Sequence, residues 1–291
     1  MDLRRVGTVH CNVGEGPVWD VAEQALYFVD LTSALLWRYS PASGAFVKWK
    51  MPSMIGSFAL RATGGAVVAL QDGFHALDFD TGAVYPLVNP QPDDRTQFND
   101  GKVDPRGRFI AATQARSLKE TTPLGRLYRL DPDLTVTELD SGFGITNGPC
   151  WSPDGRTFYF SNSLPKTILV YDYDPDTGSV SNRRVFASTE AFGGIPDGAT
   201  VDRDGRLWVA VCGGGKIVCF RPDGTVDRVI DVPTPLVASV MFGGRTLDQL
   251  YFTSIDGAAL DMPFPADPHS GGLFVIEGLG VTGRPEPRFG G

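Results

Sequence analysis

Four short segments of the sequence each begin with an oxygen-bearing side chain followed by a turn-prone pair of residues. The first residues of these segments are Glu15, Asn99, Asn147 and Asp197. Four residues after each stands an apolar residue, then a small polar or acidic one, and then a turn and an apolar run. Carboxylate and carboxamide oxygens are hard ligands that suit calcium, magnesium or manganese. If the four side chains converge, they form a site for a divalent cation.

Histidine is too scarce to build a softer metal site at these positions. The chain has three histidines, His10, His75 and His269, and none stands at the repeated position. A histidine-rich zinc site therefore cannot be assembled there. The oxygen ligands favour calcium, magnesium or manganese over zinc. We expect one divalent cation, and its identity stays open among calcium, magnesium, manganese, zinc and iron(II).

The four segments belong to a longer repeat with two weaker copies, which begin at Gly56 and Ala238. The six copies start at 15, 56, 99, 147, 197 and 238, so they are separated by 41, 43, 48, 50 and 41 residues. This spacing is typical of one four-stranded blade of a β-propeller. A fixed repeat position becomes a fixed radial position around the axis, so the four oxygen-bearing side chains should meet in the central channel. Gly56 and Ala238 leave one side of that ring open.

The secondary structure is predicted to be nearly all strand and turn. An apolar run follows each repeat start as the second strand of a hairpin: 25–29, 66–70, 108–112, 157–161, 206–211 and 250–253. We therefore predict an all-β fold, a single six-bladed propeller domain over residues 1–291 with four-stranded blades. The ring is expected to close through its terminal strands, with Arg5–Cys11 pairing beside Gly272–Gly278 or the tail after it. Residues 264–272 should form a loop within the sixth blade.

Composition excludes several classes of partner. A net charge of −8 argues against a nucleic acid, which binds mainly through lysine and arginine. No apolar run approaches the roughly 18 residues that span a bilayer, so we expect no membrane association. The start of the chain lacks an export signal, which favours the cytoplasm. The four cysteines lack paired metal spacing and are expected to be free, mostly buried thiols. A small molecule is the expected partner, and the oligomeric state stays open, with a monomer compatible.

Six motifs, in this order along the chain, resemble those of the regucalcin/gluconolactonase family. They are Gly14-Glu15-Gly16-Pro17-Val18-Trp19, Phe98-Asn99-Asp100-Gly101-Lys102-Val103-Asp104-Pro105, Thr146-Asn147-Gly148, Ser181-Asn182-Arg183-Arg184, Pro196-Asp197-Gly198 and Gly278-Leu279-Gly280-Val281. The resemblance implies a six-bladed propeller with one catalytic divalent metal that hydrolyses sugar lactones to aldonic acids. By motif, Glu15, Asn147 and Asp197 match the metal ligands. Asn99 matches a residue at the edge of the metal that contacts substrate or coordinates the metal weakly, and Asp100 matches a nearby acid of the same pocket.

The chemistry of these residue types agrees with that implication. A divalent ion can polarise a lactone carbonyl and hold a water for attack. Asp197 is our first choice for the base that takes a proton from the water, and Asp100 is the second. Lys102 follows Asp100 by two residues. This lysine could stabilise an anionic reaction intermediate, but we favour an ion pair with a neighbouring acid, because such pairs are common.

The sequence departs from the family pattern where substrate choice is decided. Gln97 stands where relatives commonly carry an arginine, and Ala111-Ala112-Thr113-Gln114 replaces a common Gly-Thr-Met run. The loop 116–124 follows and should shape the mouth of the pocket. Gln97, Gln114, Arg116 and Glu120 are therefore candidate substrate contacts, although a solvated role is as plausible for the last three.

Two alternatives to a sugar lactonase stay open. One is an esterase, aromatic lactonase or organophosphate hydrolase that uses the same metal site. The other is a non-catalytic calcium-binding or scaffold propeller, because a propeller fold does not by itself fix function. The concentration of oxygen ligands at one channel position favours an enzyme.

Overall fold

A computed structural model describes residues 1–117, 119–260, 264 and 267–291. Its 24 strands form six antiparallel four-stranded sheets, which are the blades of a β-propeller. Two short 3₁₀ helices lie at Glu190–Phe192 and Gly257–Leu260. The predicted all-β, six-bladed fold is confirmed. Among the described residues, no helix is long and apolar enough to cross a membrane.

Each blade consists of strands that follow one another along the chain, apart from one exchange at the ring closure. Blade 1 contains β2 Gly14–Asp20, β3 Ala25–Asp30, β4 Leu35–Ser40 and β5 Ala45–Lys50. Blade 2 contains β6 Ile55–Leu60, β7 Ala66–Leu70, β8 Gly73–Leu77 and β9 Val84–Val88. Blade 3 contains β10 Thr96–Val103, β11 Phe109–Ala115, β12 Gly125–Leu130 and β13 Val136–Phe143. Blade 4 contains β14 Thr146–Trp151, β15 Thr157–Asn162, β16 Thr167–Asp174 and β17 Ser179–Ser188. Blade 5 contains β18 Ile195–Val201, β19 Leu207–Cys212, β20 Lys216–Phe220 and β21 Val226–Asp231. Blade 6 contains β22 Val237–Gly243, β23 Gln249–Ser254, β24 Leu273–Glu277 and the N-terminal strand β1 Asp2–Arg5.

The ring closes as predicted in principle, but with a different N-terminal segment. Strand β1 pairs with β24, with Asp2 opposite Glu277 and Arg5 opposite Phe274. The expected segment, Arg5–Cys11, overlaps this strand only at Arg5, but Val6 N and Cys11 N also donate to Leu273 O and Gly271 O. A turn at Gly7, whose φ is +60°, ends the strand early. The sixth-blade loop predicted at 264–272 lies between β23 and β24, and residues 265 and 266 of it lie outside the described residues.

The core lies between neighbouring blades. The inner strands β3, β6, β7, β11, β14 and β19 are buried at nearly every position, because both faces of a propeller blade pack against other blades. The outer strands, such as β5 and β17, consist only of half-buried and exposed residues. This rigid packing holds the inner strands, and hence the channel side chains, at fixed positions.

The C-terminal tail runs across one end of the propeller. Its Gly283 N donates to Leu247 O in blade 6, and Gly290 N donates to Gly107 O in blade 3. Between them, Arg284 donates to Ser152 O and Pro153 O in blade 4. The tail therefore ties together blades that are distant in sequence.

We expect Phe289→Ala to destabilise the protein, because this tail residue is fully buried and packs in the cluster between blades 2 and 3. The loss in unfolding free energy should be about 3 kcal/mol, the low end for such a truncation, since a chain terminus can relax. Urea unfolding measures it. Tyr85→Ala, at a tyrosine that is 58% exposed, is the control and should change stability by less than ~0.5 kcal/mol. Equal stability of both variants would mean that the tail does not brace the ring.

Candidate functional site

A β-bulge interrupts the first strand of each blade at the repeated position. The strand register shifts between Glu15 and Val18, Phe98 and Gly101, Asn147 and Cys150, and Pro196 and Ala199. Blades 2 and 6 carry a smaller shift at Gly56 and Ala238. A bulge inserts an unpaired residue and changes the direction in which its side chain points. The bulges explain why one repeat position supplies the channel-facing residue in every blade.

Glycines within the bulges let the inner strands approach closely. Gly148 has a φ of +58°, a conformation that favours glycine. A Cβ atom at Gly198 would collide with Ser239 Oγ on the neighbouring blade. The Asn-Gly and Asp-Gly pairs of the repeat therefore serve the packing around the axis, and the asparagine or aspartate before each glycine is free to face the channel.

Two of the four predicted side chains contact each other directly. The Asn99 amide donates to Asn147 Oδ1 over 2.9 Å and to Thr146 O over 2.8 Å. Asn147 Nδ2 in turn donates to Ser163 Oγ over 3.1 Å. Both amide nitrogens are engaged, so Asn99 Oδ1 and the second lone pair of Asn147 Oδ1 are left to bind a group in the channel.

The two predicted carboxylate ligands are buried together. Glu15 is 7% exposed and Asp197 is 4% exposed. Burial raises the pKa of Glu15 well above its usual range, and the charges of Asp197 and Asp100 raise it further. Burial is also the main reason why the pKa of Asp197 rises to about 8. Two neighbouring carboxylates with raised pKa values favour a bound cation, which would restore the charged forms.

One oxygen of this pair has no partner. Asp197 Oδ1 is enclosed, yet it accepts no hydrogen bond from any residue that the structure describes. A buried carboxylate oxygen without a partner is costly. A cation held by Asp197, Glu15 and Asn147 would satisfy it, so the residues present fit a divalent metal. Among the described residues, there is no group of three histidine, cysteine, aspartate or glutamate side chains that could hold a metal ion. The amide oxygen of Asn147 is therefore needed as a ligand beside the two carboxylates.

Asp100 lies near the carboxylates but is anchored differently. Its Oδ1 accepts from Gly101 N over 2.7 Å and its Oδ2 accepts from Gly148 N over 2.8 Å. Burial raises its pKa, and the positive charge of Lys102 opposes that rise. With both oxygens engaged by backbone amides, Asp100 holds the bulges of blades 3 and 4 together.

A cavity of about 340 Å³ opens above these residues. Five residues that the sequence predicted to bind metal or substrate line it: Glu15, Gln97, Asn99, Asn147 and Asp197. Gln114 and Arg116 line it as well. Gln97 and Gln114 face each other across the β10–β11 ladder, and Gln114 Oε1 is buried without a partner among the described residues. Leu118, in the predicted mouth loop, lies outside the described residues.

Glu120 and Asp100 are not among the residues that line this cavity. The Glu120 carboxylate accepts from Thr122 N over 2.8 Å and lies 3.9 Å from Arg95. These contacts stabilise the loop, and they involve the carboxylate that was predicted to bind substrate. The structure gives Glu120 a loop-stabilising position.

Lys102 is not among the residues that line this cavity. Its ammonium donates to Ala199 O over 2.9 Å and is 3.9 Å from Glu286 in the C-terminal tail. It lines a separate, smaller cavity with Cys150 and the tail. The structure therefore gives this lysine the ion-pair role that the sequence favoured.

Sequence reasoning missed Cys212 and an apolar part of the cavity. All four cysteines are free and buried, as predicted, but the Cys212 thiol also lies beside Asp197 and lines the cavity. Burial raises the pKa of this thiol well above its usual range. The available signal was positional, because Cys212 ends the second strand of the blade that carries Asp197.

Gln97→Arg should change the choice between lactones without removing the metal site. Gln97 lines the cavity but belongs to none of the proposed ligands, and an arginine there would add charge-assisted hydrogen bonds worth about 1.5–3 kcal/mol. We expect the activity ratio between a polyhydroxylated and an unhydroxylated lactone to rise roughly tenfold. Steady-state kinetics with both lactones measures it. Gln24→Arg, in the exposed turn after β2, is the matched control. A ratio unchanged from the wild type would exclude substrate contact at position 97.

Comparisons with known proteins agree with this fold. The family described as SMP-30/Gluconolactonase/LRE-like region matches residues 13–256. Regucalcin from Oryctolagus cuniculus is 37% identical over 291 residues, covering 97% of this chain and 96% of that protein. Pentonolactonase XacC from Haloferax volcanii is 38% identical over 294 residues, covering 99% of this chain and 98% of that protein. The crystal structure of a calcium-binding protein, regucalcin, from Agrobacterium tumefaciens superposes with a TM-score of 0.90 at 26% identity, covering 99% and 97% of the two chains. The chain belongs to the SMP-30/gluconolactonase/LRE-like family.

Proposed function

We propose that this protein is a metal-dependent lactonase that opens a sugar lactone to its aldonic acid. The observation that carries the proposal is the unpartnered Asp197 Oδ1, which lies with Glu15 and Asn147 at the base of an open cavity. A related protein is named a pentonolactonase, and another is described as calcium-binding. Both names support a lactonase that uses a divalent cation, with calcium as the first candidate.

The residues at the base of the cavity have separate tasks in this proposal. Glu15, Asn147 and Asp197 hold the cation, which when bound supplies Lewis acidity and a site for water. Asn99 keeps Asn147 oriented through its amide hydrogen bond and presents its own oxygen to the substrate. The carbonyl carbon of the lactone is attacked by the water oxygen, the ring C–O bond breaks, and the departing alkoxide takes up a proton.

Asp197 is the better candidate for the base. It lines the cavity, so when one of its carboxylate oxygens holds the cation, the other can accept a proton from water and return it to the leaving alkoxide. Asp100 would have to give up a hydrogen bond from Gly101 N or Gly148 N to do the same. We therefore assign Asp100 the role of a positioning residue.

The apolar part of the cavity supports one second candidate, an aromatic lactonase or esterase. Val13, Leu31 and Ile255 line the cavity together with the oxygen ligands, and such side chains would accommodate an aromatic ring.

A substrate panel decides between the two candidates. The metal-loaded protein should hydrolyse several aldonolactones with higher kcat/KM than dihydrocoumarin, an aromatic ester and a phosphotriester. A preference for dihydrocoumarin or for the ester would favour the second candidate. No hydrolysis of any of them, with metal bound, would reject a lactonase and leave a calcium-binding role.

A further inference from the structure

The cavity has two chemically different sides. The first, which we call the aliphatic wall, consists of six residues: Val13, Leu31, Met54, Ile195, Cys212 and Ile255. They come from blades 1, 2, 5 and 6 and pack with one another as a single apolar cluster. Buried cysteine behaves as a small apolar side chain. More than half of the ring around the cation site therefore presents hydrocarbon to whatever enters.

Apart from Ile145, the opposite side is polar, and its polar residues come from one blade. Gln97, Asn99, Gln114 and Arg116 all belong to β10, β11 or the residue directly after β11. Arg116 Nε donates to Thr96 O over 2.8 Å, and none of the described carboxylates forms an ion pair with its guanidinium. Together with the unpartnered Gln114 Oε1, this polar wall has donors and acceptors available for hydroxyl groups.

Thr32 is the exception on the aliphatic side. Its Oγ1 is enclosed and has no hydrogen-bond partner in the described part of the chain. It stands next to Leu31 and lines the cavity. One further hydroxyl of a ligand can be satisfied there, but the remaining aliphatic wall offers only the weakly hydrogen-bonding thiol of Cys212.

A fully hydroxylated ligand does not suit such a cavity. A hydroxyl that leaves water and meets only hydrocarbon loses its hydrogen bonds without replacement. A methyl or methylene group in the same place gains from leaving water. The cavity volume of about 340 Å³ lies at the small end for ligand pockets, so a sugar-sized molecule would contact both walls at once.

We propose that the preferred substrate is a deoxy-sugar lactone, with its hydroxyl groups along the polar wall and its deoxygenated edge against the aliphatic wall. This inference rests on the proposed lactonase function and adds the substrate class to it. In this proposal, the apolar residues bind the deoxygenated edge of the lactone, and the oxygen ligands hold the cation for its hydrolysis.

The test uses two pairs of γ-lactones that differ in a single hydroxyl group. L-rhamnonolactone differs from L-mannonolactone, and D-fuconolactone from D-galactonolactone, only in a terminal CH₃ in place of CH₂OH. For at least one pair, we expect kcat/KM of the metal-loaded protein to be roughly ten- to hundredfold higher for the deoxy lactone, the range over which an apolar pocket rejects an added hydroxyl. Equal values in both pairs, or a preference for the hydroxylated lactones, would overturn the proposal.

Two near-isosteric variants test whether the aliphatic wall causes the preference. Val13→Thr and Met54→Gln place a polar group on that wall with little change of shape, so each should reduce the deoxy preference at least threefold. Val9→Thr is the matched control, because Val9 is 8% exposed, Val13 is 7% exposed, and Val9 lies outside the cavity. Met54→Leu should retain the preference. A preference unaltered in both polar variants, with melting temperatures that show them folded, would assign discrimination to other residues and overturn the proposal.

The corresponding lactams separate this inference from the proposed function. An amide in place of the ester is not opened, so calorimetry can measure binding of the two members of a pair without turnover. Tighter binding of the deoxy lactam, in a protein that hydrolyses none of the lactones, would support the two-walled site and reject the lactonase. Equal binding of both lactams by a protein that does hydrolyse lactones would reject the deoxy-sugar inference alone.

Discussion

Asp197→Asn is expected to lower lactone turnover at saturating metal by roughly 10²–10⁴-fold, the effect of removing one acid–base group. The substitution keeps the size of the side chain but removes a charged ligand and the proposed base together. The fold should survive, because the bulge that carries residue 197 depends on Gly198 and its close approach to Ser239. Turnover and the melting temperature, measured on the same preparation, test both statements.

The metal-free variant should also be more stable than the wild type at alkaline pH. Burial, together with the charge of Asp100, raises the pKa of Asp197 to about 8. The stability that such a group contributes is present at acid pH and is lost as the pH rises through its folded pKa. Asparagine does not titrate, so the melting temperature of Asp197→Asn should exceed that of the wild type above about pH 8. This gain would show that charge at this position serves function at a cost in stability.

Asp154→Asn is the matched control for Asp197→Asn. Asp154 lies in the turn between β14 and β15, where it accepts hydrogen bonds from Ser152 Oγ and Arg156 N. Turns accept asparagine or aspartate, so turnover should stay within about twofold of the wild type. Near-normal turnover of a folded Asp197→Asn protein would instead mean that the ring of oxygens is structural.

The repeat explains why much of the site was predictable from the sequence. The six starts coincide with six bulges in the first strands, so sequence period and radial position correspond. The chemistry of Glu15 and Asp197 was readable as well, because neither residue type is required by the bulge itself. The predicted second strands agree with β3, β7, β11, β15, β19 and β23 to within two or three residues at either end.

Contacts outside the repeat were not predictable in the same way. Lys102 meets Glu286 only because the C-terminal tail crosses the end of the channel, and Glu120 meets Arg95 through a loop without a repeat partner. The aliphatic wall combines residues such as Met54, which precedes β6, and Ile195, which begins β18, and both look like ordinary core residues in the sequence. The proposed cation ligands could be identified in the sequence by their side-chain chemistry. The residues around them could not, because their positions depend on loops that differ from blade to blade.

Exhaustive treatment with a chelator is expected to abolish lactone hydrolysis, and added divalent ions should restore it unequally. Glu15, Asn147 and Asp197 offer only oxygen atoms, so calcium, manganese and magnesium should restore more activity than zinc. Binding should also raise the melting temperature of the metal-free protein, because a cation at 100 times its Kd stabilises the folded state by about 2.7 kcal/mol. Activity and melting temperature should rise over the same range of metal concentration.

Glu15→Gln connects this dependence to the proposed ligands. Loss of one buried charge should raise the metal concentration needed for half-maximal activity and for half the rise in melting temperature by at least tenfold. Glu138→Gln, on outer strand β13 where Glu138 pairs with Arg126, is the control and should leave both concentrations unchanged. If the chelated protein kept full activity, the metal mechanism would be wrong. If activity required metal but Glu15→Gln bound it as tightly as the wild type, the cation would lie elsewhere. Only a parallel shift of activity and melting temperature in Glu15→Gln supports a cation held between Glu15, Asn147 and Asp197.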